Sequence, residues 1–151
     1  MSLGAIGNHV FIFLVGLTFV SSAKFYTSCS KGSRVYNVTL DACKGAVCSL
    51  QQNKPFTLTI EFKSLRKLVN GRPTFCATDI PDNAPCVDMS GKRGNICNFM
   101  EPECPLANGE SYTYQLTAKM ISISYDGIMR FVVGDFKGGQ FLCVDINVAV
   151  A

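Results

Sequence analysis

Eight cysteines lie between positions 29 and 143 of a 151-residue chain, and they constrain its fold more than any other feature. An even set at irregular spacings in a small exported chain reads as a framework of four disulfides. Zinc sites use tight pairs such as Cys-x-x-Cys with partner ligands, and the intervals here are wider. Export is expected from the start of the chain, where the apolar run Val10 to Val20 is followed by the small-residue cleavage pattern Ser21-Ser22-Ala23. The run is shorter than the 20 or so apolar residues of a spanning helix. Residues 1–23 are therefore expected to be a signal peptide, leaving 24–151 as one secreted domain.

The only histidine, His9, falls in that leader, so the mature chain has none. Without imidazole there is no ordinary Ser-His-Asp or Cys-His arrangement, and the commonest metal ligand is missing. The carboxylates are scattered singly apart from Glu101 and Glu103. The residues thus point to no enzyme, no cofactor and no metal site. The net charge of +3 is spread out, and the densest basic spots, Lys63/Arg66/Lys67 and Lys92/Arg93, are short. Nucleic acid is not an expected partner. Both clusters read as solvated loops, or as contacts for anionic head groups or sulfated glycans.

Strand periodicity recurs along the mature chain. From Phe56 to Phe62 the residues Phe56, Leu58, Ile60 and Phe62 share one face, while Thr57, Thr59 and Glu61 take the other. This period of two predicts a half-buried strand in an antiparallel sheet. Arg34 to Leu40 predicts an earlier strand, closed by an Asp41-Ala42 turn. Tyr112, Tyr114, Leu116, Ala118 and Met120 alternate likewise, and then the apolar series moves to odd numbers at Ile121, Ile123 and Tyr125. A bulge or bend near Met120 would reconcile the two halves. Asp126-Gly127 reads as a turn into a strand at 128–133, and Lys137-Gly138-Gly139 as the loop into a last strand from Gln140 to Val150. Leu142, Val144, Ile146, Val148 and Val150 share a face there, with Asp145 on the opposite side. The Pro-, Gly- and Asn-rich region from Asn70 to Asn108 reads as long loops with short strands pinned by bridges. The fold class is all-β, a sandwich or barrel.

Several motifs stand in a fixed order: Cys29-x13-Cys43-x4-Cys48 with Tyr36-Asn37-Val38-Thr39 inside it, then Cys97-x6-Cys104-Pro105-Leu106. Gly109-Glu110-Ser111-Tyr112-Thr113-Tyr114 and Phe141-Leu142-Cys143 complete the set. This set resembles the Niemann-Pick type C2-like proteins of the ML (MD-2-related lipid-recognition) family over most of the mature chain. The resemblance implies an immunoglobulin-like β-sandwich of two antiparallel sheets with an apolar cavity between them. It also implies the pairs Cys29-Cys143, Cys43-Cys48 and Cys97-Cys104. Cys76 and Cys86 have no counterpart in the three-bridge members and are expected to pair within their own loop. Tyr125-Asp126 stands where Tyr-Pro is often found.

From pattern alone the apolar faces make a closed core, since interiors are normally packed densely; the resemblance implies a ligand cavity instead. By carry-over, Met120 and Tyr125 fall near ligand contacts of sterol-carrying members, and Phe75 near an aromatic of the preceding loop. Tyr112 and Tyr114 are further candidates, whose simpler role is as sheet and core aromatics. Asn37, in Asn-Val-Thr, is an acceptor sequon for glycosylation. Two functions follow as expectations. One is a secreted or endosomal-lysosomal lumenal carrier, a monomer that holds a sterol, fatty acid or similar lipid and passes it on by transient membrane or receptor contact. The other is a lipid-dependent recognition or adaptor protein bound to a receptor.

Overall fold

In a computed structural model of the chain, residues 24–78, 86–88, 94–134 and 140–151 are described. The expected signal peptide, Lys92/Arg93 and the 137–139 loop lie outside those residues. Ten strands follow in chain order: β1 (Tyr26–Ser28), β2 (Ser33–Leu40), β3 (Cys48–Leu50), β4 (Pro55–Ser64) and β5 (Arg72–Ala77), then β6 (Cys86–Val87), β7 (Met100–Glu101), β8 (Ser111–Lys119), β9 (Tyr125–Gly134) and β10 (Gln140–Val150). A short 3-10 helix, Ile96–Phe99, precedes β7.

Alternation decides which residues meet. In β4 the Phe56, Leu58, Ile60 and Phe62 side chains are all buried, as their period requires. β4 pairs antiparallel with β2 on one side and β8 on the other, Ile60 lying opposite Tyr114 and Phe62 opposite Tyr112. β7 extends this smaller sheet, in the order β2-β4-β8-β7. The larger sheet runs β1-β10-β9-β5-β6, with β3 added to the second half of the β10 edge as a three-residue parallel pairing. The two sheets form an all-β, immunoglobulin-like sandwich. In β10 a register shift between Gln140 and Leu142 lets Phe141 and Leu142 both be buried.

One reading of the sequence is narrowed and another corrected. The change of phase after Met120 is a bend and not a bulge: β8 ends at Lys119, the chain bends at Ser122, and the next strand, β9, belongs to the facing sheet. The inward direction is redefined when the chain crosses over, and Ile121 is left exposed. Asp126-Gly127 is not a turn either, because both residues pair within β9, opposite Ala149 and Val148 of β10. Their turn-favouring chemistry yields to a ladder that β10 extends to Val150.

All four disulfides join the expected partners, Cys29-Cys143, Cys43-Cys48, Cys76-Cys86 and Cys97-Cys104. Cys29-Cys143 spans 114 residues and fastens the end of β1 to β10. The chain then turns so close to β10 that a Cβ on Gly32 would sit 2.8 Å from the Phe141 ring and 3.0 Å from its Cα. Glycine is what allows that approach. Because the long bridge restricts a large loop of the unfolded chain, replacing Cys29 and Cys143 together by serine is expected to lower stability by about 4–5 kcal/mol. Equilibrium urea unfolding at constant pH measures it, and a loss under about 1 kcal/mol would contradict this account.

Candidate ligand site between the sheets

Aromatic rings from both sheets meet in the space between them. Phe56 of β4 meets Phe75 of β5 at 6.0 Å between centroids, edge to face, and Tyr114 of β8 meets Phe131 of β9 at 5.1 Å. Nearer the other end Phe62 of β4 meets Phe141 of β10 at 5.9 Å. These separations lie in the favourable range for aromatic pairs. Phe75 also touches Phe131 at 5.1 Å, and Phe99 of the 3-10 helix packs on Tyr114 at 6.1 Å. One connected set results, Phe56-Phe75-Phe131-Tyr114-Phe99, bridging the two sheets. Among the described residues no charged side chain is buried, and the buried polar ones are Ser33 and Ser64.

The residues singled out from the sequence fall into three places. Phe75 and Tyr114 are fully inside and are brought together through Phe131. Tyr112 lies toward the end of β8 where it faces Phe62 at 6.1 Å, and its hydroxyl accepts a 2.7 Å hydrogen bond from the Ala107 amide. Met120 and Tyr125 lie at the opposite end. Met120 is buried just beyond β8, where its amide donates to the Lys54 carbonyl. Tyr125, half-buried against the core, starts β9 and donates its hydroxyl to the Ile128 carbonyl at 2.7 Å. Phe131 and Phe99 were not singled out, although Phe131 sits in an odd-numbered buried series with Met129 and Val133 that was open to reading.

Tyr114 differs from the other buried polar groups. Ser33 donates to the Phe141 carbonyl, Ser64 to the Arg66 carbonyl, and Tyr112 is held by Ala107. Among the described residues the buried Tyr114 hydroxyl has no hydrogen-bond partner. Such a group costs about 1–3 kcal/mol. Burial pushes the Tyr114 phenol above its ordinary value near 10, and the negative charge of Asp88 adds to the effect.

Charged groups lie outside this layer. Asp145 faces away from the sandwich interior, where it takes two hydrogen bonds from the Arg130 guanidinium at 2.7 and 2.8 Å. Hydrogen bonding to Asp145 holds the Arg130 guanidinium above its ordinary value; burial opposes this, and the attraction of the Asp145 carboxylate adds to it. The Cys29, Cys143 and Asp145 ligand atoms lie within 4.8 Å of one another, but both sulfurs are in a disulfide and offer no thiolate. A surface cleft of about 350 Å³ is lined by Ser49 and Leu50 of β3 and by Pro55 and Phe56 at the start of β4. Asp41 and Lys54 stand at its rim.

No family model matches the chain, and no curated protein matches it in sequence. Solved structures do. A Niemann-Pick type C2 protein from Japanese carpenter ant is similar with a TM-score of 0.67 and 15% identity, over 83% of this chain and 98% of that one. The C-terminal domain of wzt is more distantly similar, with a TM-score of 0.50 and 9% identity over 84% of this chain and 77% of that one. At such identities the likeness is one of fold.

The buried phenol gives a pH dependence whose sign can be worked out. Below about pH 10 Tyr114 is neutral in both the folded and unfolded chain, so it adds no slope. Above it the unfolded chain releases the proton and the folded chain keeps it, so stability falls as pH rises. Tyr114→Phe is expected to make that fall shallower by up to about 1.4 kcal/mol per pH unit between pH 10 and 11. Urea unfolding of both proteins from pH 8 to 11 checks this, and identical slopes would refute it.

Proposed function

We propose that the protein is a secreted carrier of an apolar lipid, of the Niemann-Pick type C2-like kind, which takes a sterol, fatty acyl chain or similar molecule between its two sheets. The observation that carries this reading is the interior itself. Two sheets meet through a layer of large apolar rings, with no charged side chain buried among the described residues. Apolar transfer is the driving force such a layer offers, about 0.8 kcal/mol for each methylene removed from water. Sharing a fold with a Niemann-Pick type C2 protein supports the choice of cargo. In this reading the cleft lined by β3 and the start of β4, next to the buried Leu50 and Phe56, is the candidate entrance. Four disulfides suit an oxidising compartment, outside the cell or in a lysosomal lumen.

An adaptor would need a contiguous apolar rim for a stable partner to cover. Among the described residues the exposed large apolar side chains are Tyr36, Val47, Leu65, Val69 and Ile121, divided among β2, the Cys43–Cys48 loop, the 65–69 segment and the β8–β9 link. Scattered exposure of this kind favours the carrier. Membrane or receptor contact in this reading is transient, and the protein works as a monomer.

Extraction of the purified protein with organic solvent, followed by mass spectrometry, should yield one lipid class near one mole per mole. A fluorescent sterol or fatty-acyl probe should then titrate to one-to-one stoichiometry. Tyr125→Ala, at the half-buried rim, should weaken that binding about tenfold, or 1.4 kcal/mol, while lowering the melting temperature by under about 3 °C. Equal losses of binding and stability would return Tyr125 to a packing role.

Asn37 is exposed on β2, which borders the smaller sheet. We expect it to carry a glycan when a eukaryotic cell secretes the protein. Mass spectrometry before and after N-glycosidase treatment decides it, with an unchanged mass counting against occupancy.

A further inference from the structure

We propose that the Tyr114 hydroxyl is the polar anchor of the bound lipid, donating a hydrogen bond to an uncharged oxygen that the lipid carries. The site would then take lipids bearing a hydroxyl, ether or carbonyl oxygen in preference to ionised fatty acids, with an advantage over hydrocarbons that phenylalanine could not give. This inference rests on the lipid-carrier reading and names the cargo more closely.

Packing does not explain the hydroxyl. The ring of Tyr114 is held by Phe131 at 5.1 Å and Phe99 at 6.1 Å, contacts that phenylalanine would also make. Its oxygen is buried, with the residue at 0% exposure, and among the described residues it has no hydrogen-bond partner. Buried tyrosine hydroxyls ordinarily find one, as Tyr112 does at Ala107. Tyr112 shows that this fold can satisfy a phenol two residues away on the same face of β8. An acceptor arriving with the ligand completes Tyr114 without taking a hydrogen-bond partner from another buried group.

The surroundings also select the charge. A buried carboxylate needs a cation or several donors, and no charged side chain is buried among the described residues. The charge that acts on Tyr114 is that of Asp88, which is negative and repels an anionic head. Arg72 pairs with Asp88 at 3.8 Å, but its side chain is 70% exposed, at the surface. An uncharged oxygen avoids both penalties.

The test displaces N-phenyl-1-naphthylamine from wild type and from Tyr114→Phe with 1-dodecanol, dodecane, and dodecanoate at pH 8. The dodecanol-to-dodecane affinity ratio is expected to fall about five- to tenfold in the variant, the size of one hydrogen bond. Affinity for the fluorescent probe should stay within about twofold, and wild type should bind dodecanoate less tightly than dodecanol. The ligand-free variant should melt about 2–4 °C higher, because an unpaired hydroxyl has been removed. A structural hydroxyl would give the opposite sign. If the ratio is unchanged while the probe and dodecane still bind, the anchor is refuted and the carrier reading stands. If wild type binds none of these molecules, the carrier reading falls and the anchor with it.

Discussion

The sandwich depends on the contact between its two inner faces. Phe56 against Phe75, Tyr114 against Phe131 and Phe62 against Phe141 are where one sheet touches the other most directly. Each such pair adds about 0.5–1.5 kcal/mol to the larger gain from burying the rings. The disulfides act elsewhere. Cys29-Cys143 and Cys76-Cys86 fasten strands of the larger sheet to one another, Cys43-Cys48 closes a five-residue step, and Cys97-Cys104 ties the 3-10 helix to the loop after β7. None of the four joins the inner face of one sheet to that of the other. Covalent bonds keep each layer intact, and non-covalent contacts hold the layers together. Such a division lets the faces separate locally while the topology stays fixed.

That division also explains what was legible in the sequence. β4 announces itself by period two because it has one inner face along its whole length, and β10 does so from Val144 onward, past the register shift near its start. β1 and β3 do not, since three residues carry no period and their place is set by the unpaired edge of β10. The crossover from β8 to β9 looked like a bulge or bend because a periodicity records which way side chains point, and not which sheet they point from. Asp126-Gly127 looked like a turn because local preference is weak beside two ladder partners on β10. For the site, the family resemblance brought out Phe75 and Tyr114, which do lie inside. It could not separate Tyr114 from Tyr112. The two share a face and a residue type, and they differ only in that the 107 amide reaches one hydroxyl. The conformation of that loop is a tertiary fact.

Electrostatics are kept to the outside of the sandwich. The one histidine of the sequence, His9, lies outside the described residues, and Asp145, the acid closest in sequence to the apolar face of β10, is turned outward and held by Arg130. A carboxylate held in a two-point fork is oriented away from any apolar cargo. The interior therefore answers to shape, apolar area and single hydrogen bonds more than to changes of charge between pH 5 and 7.5, where no remaining side chain has its reference pKa.

The packed state of the rings sets a lower bound on the size of a useful ligand. A molecule entering between the sheets separates ring pairs worth about 0.5–1.5 kcal/mol each. It also gives up translational and rotational freedom costing roughly 4–15 kcal/mol. Four or five methylenes, at about 0.8 kcal/mol apiece, recover only 3–4 kcal/mol. A sixteen-methylene chain recovers about 13 kcal/mol, enough to offset the separated rings and much of the lost freedom. Small apolar molecules would then compete poorly with the ring contacts between the sheets. In the carrier reading proposed above, long acyl chains and sterols, with enough surface to replace those contacts, are the cargo such an interior would favour.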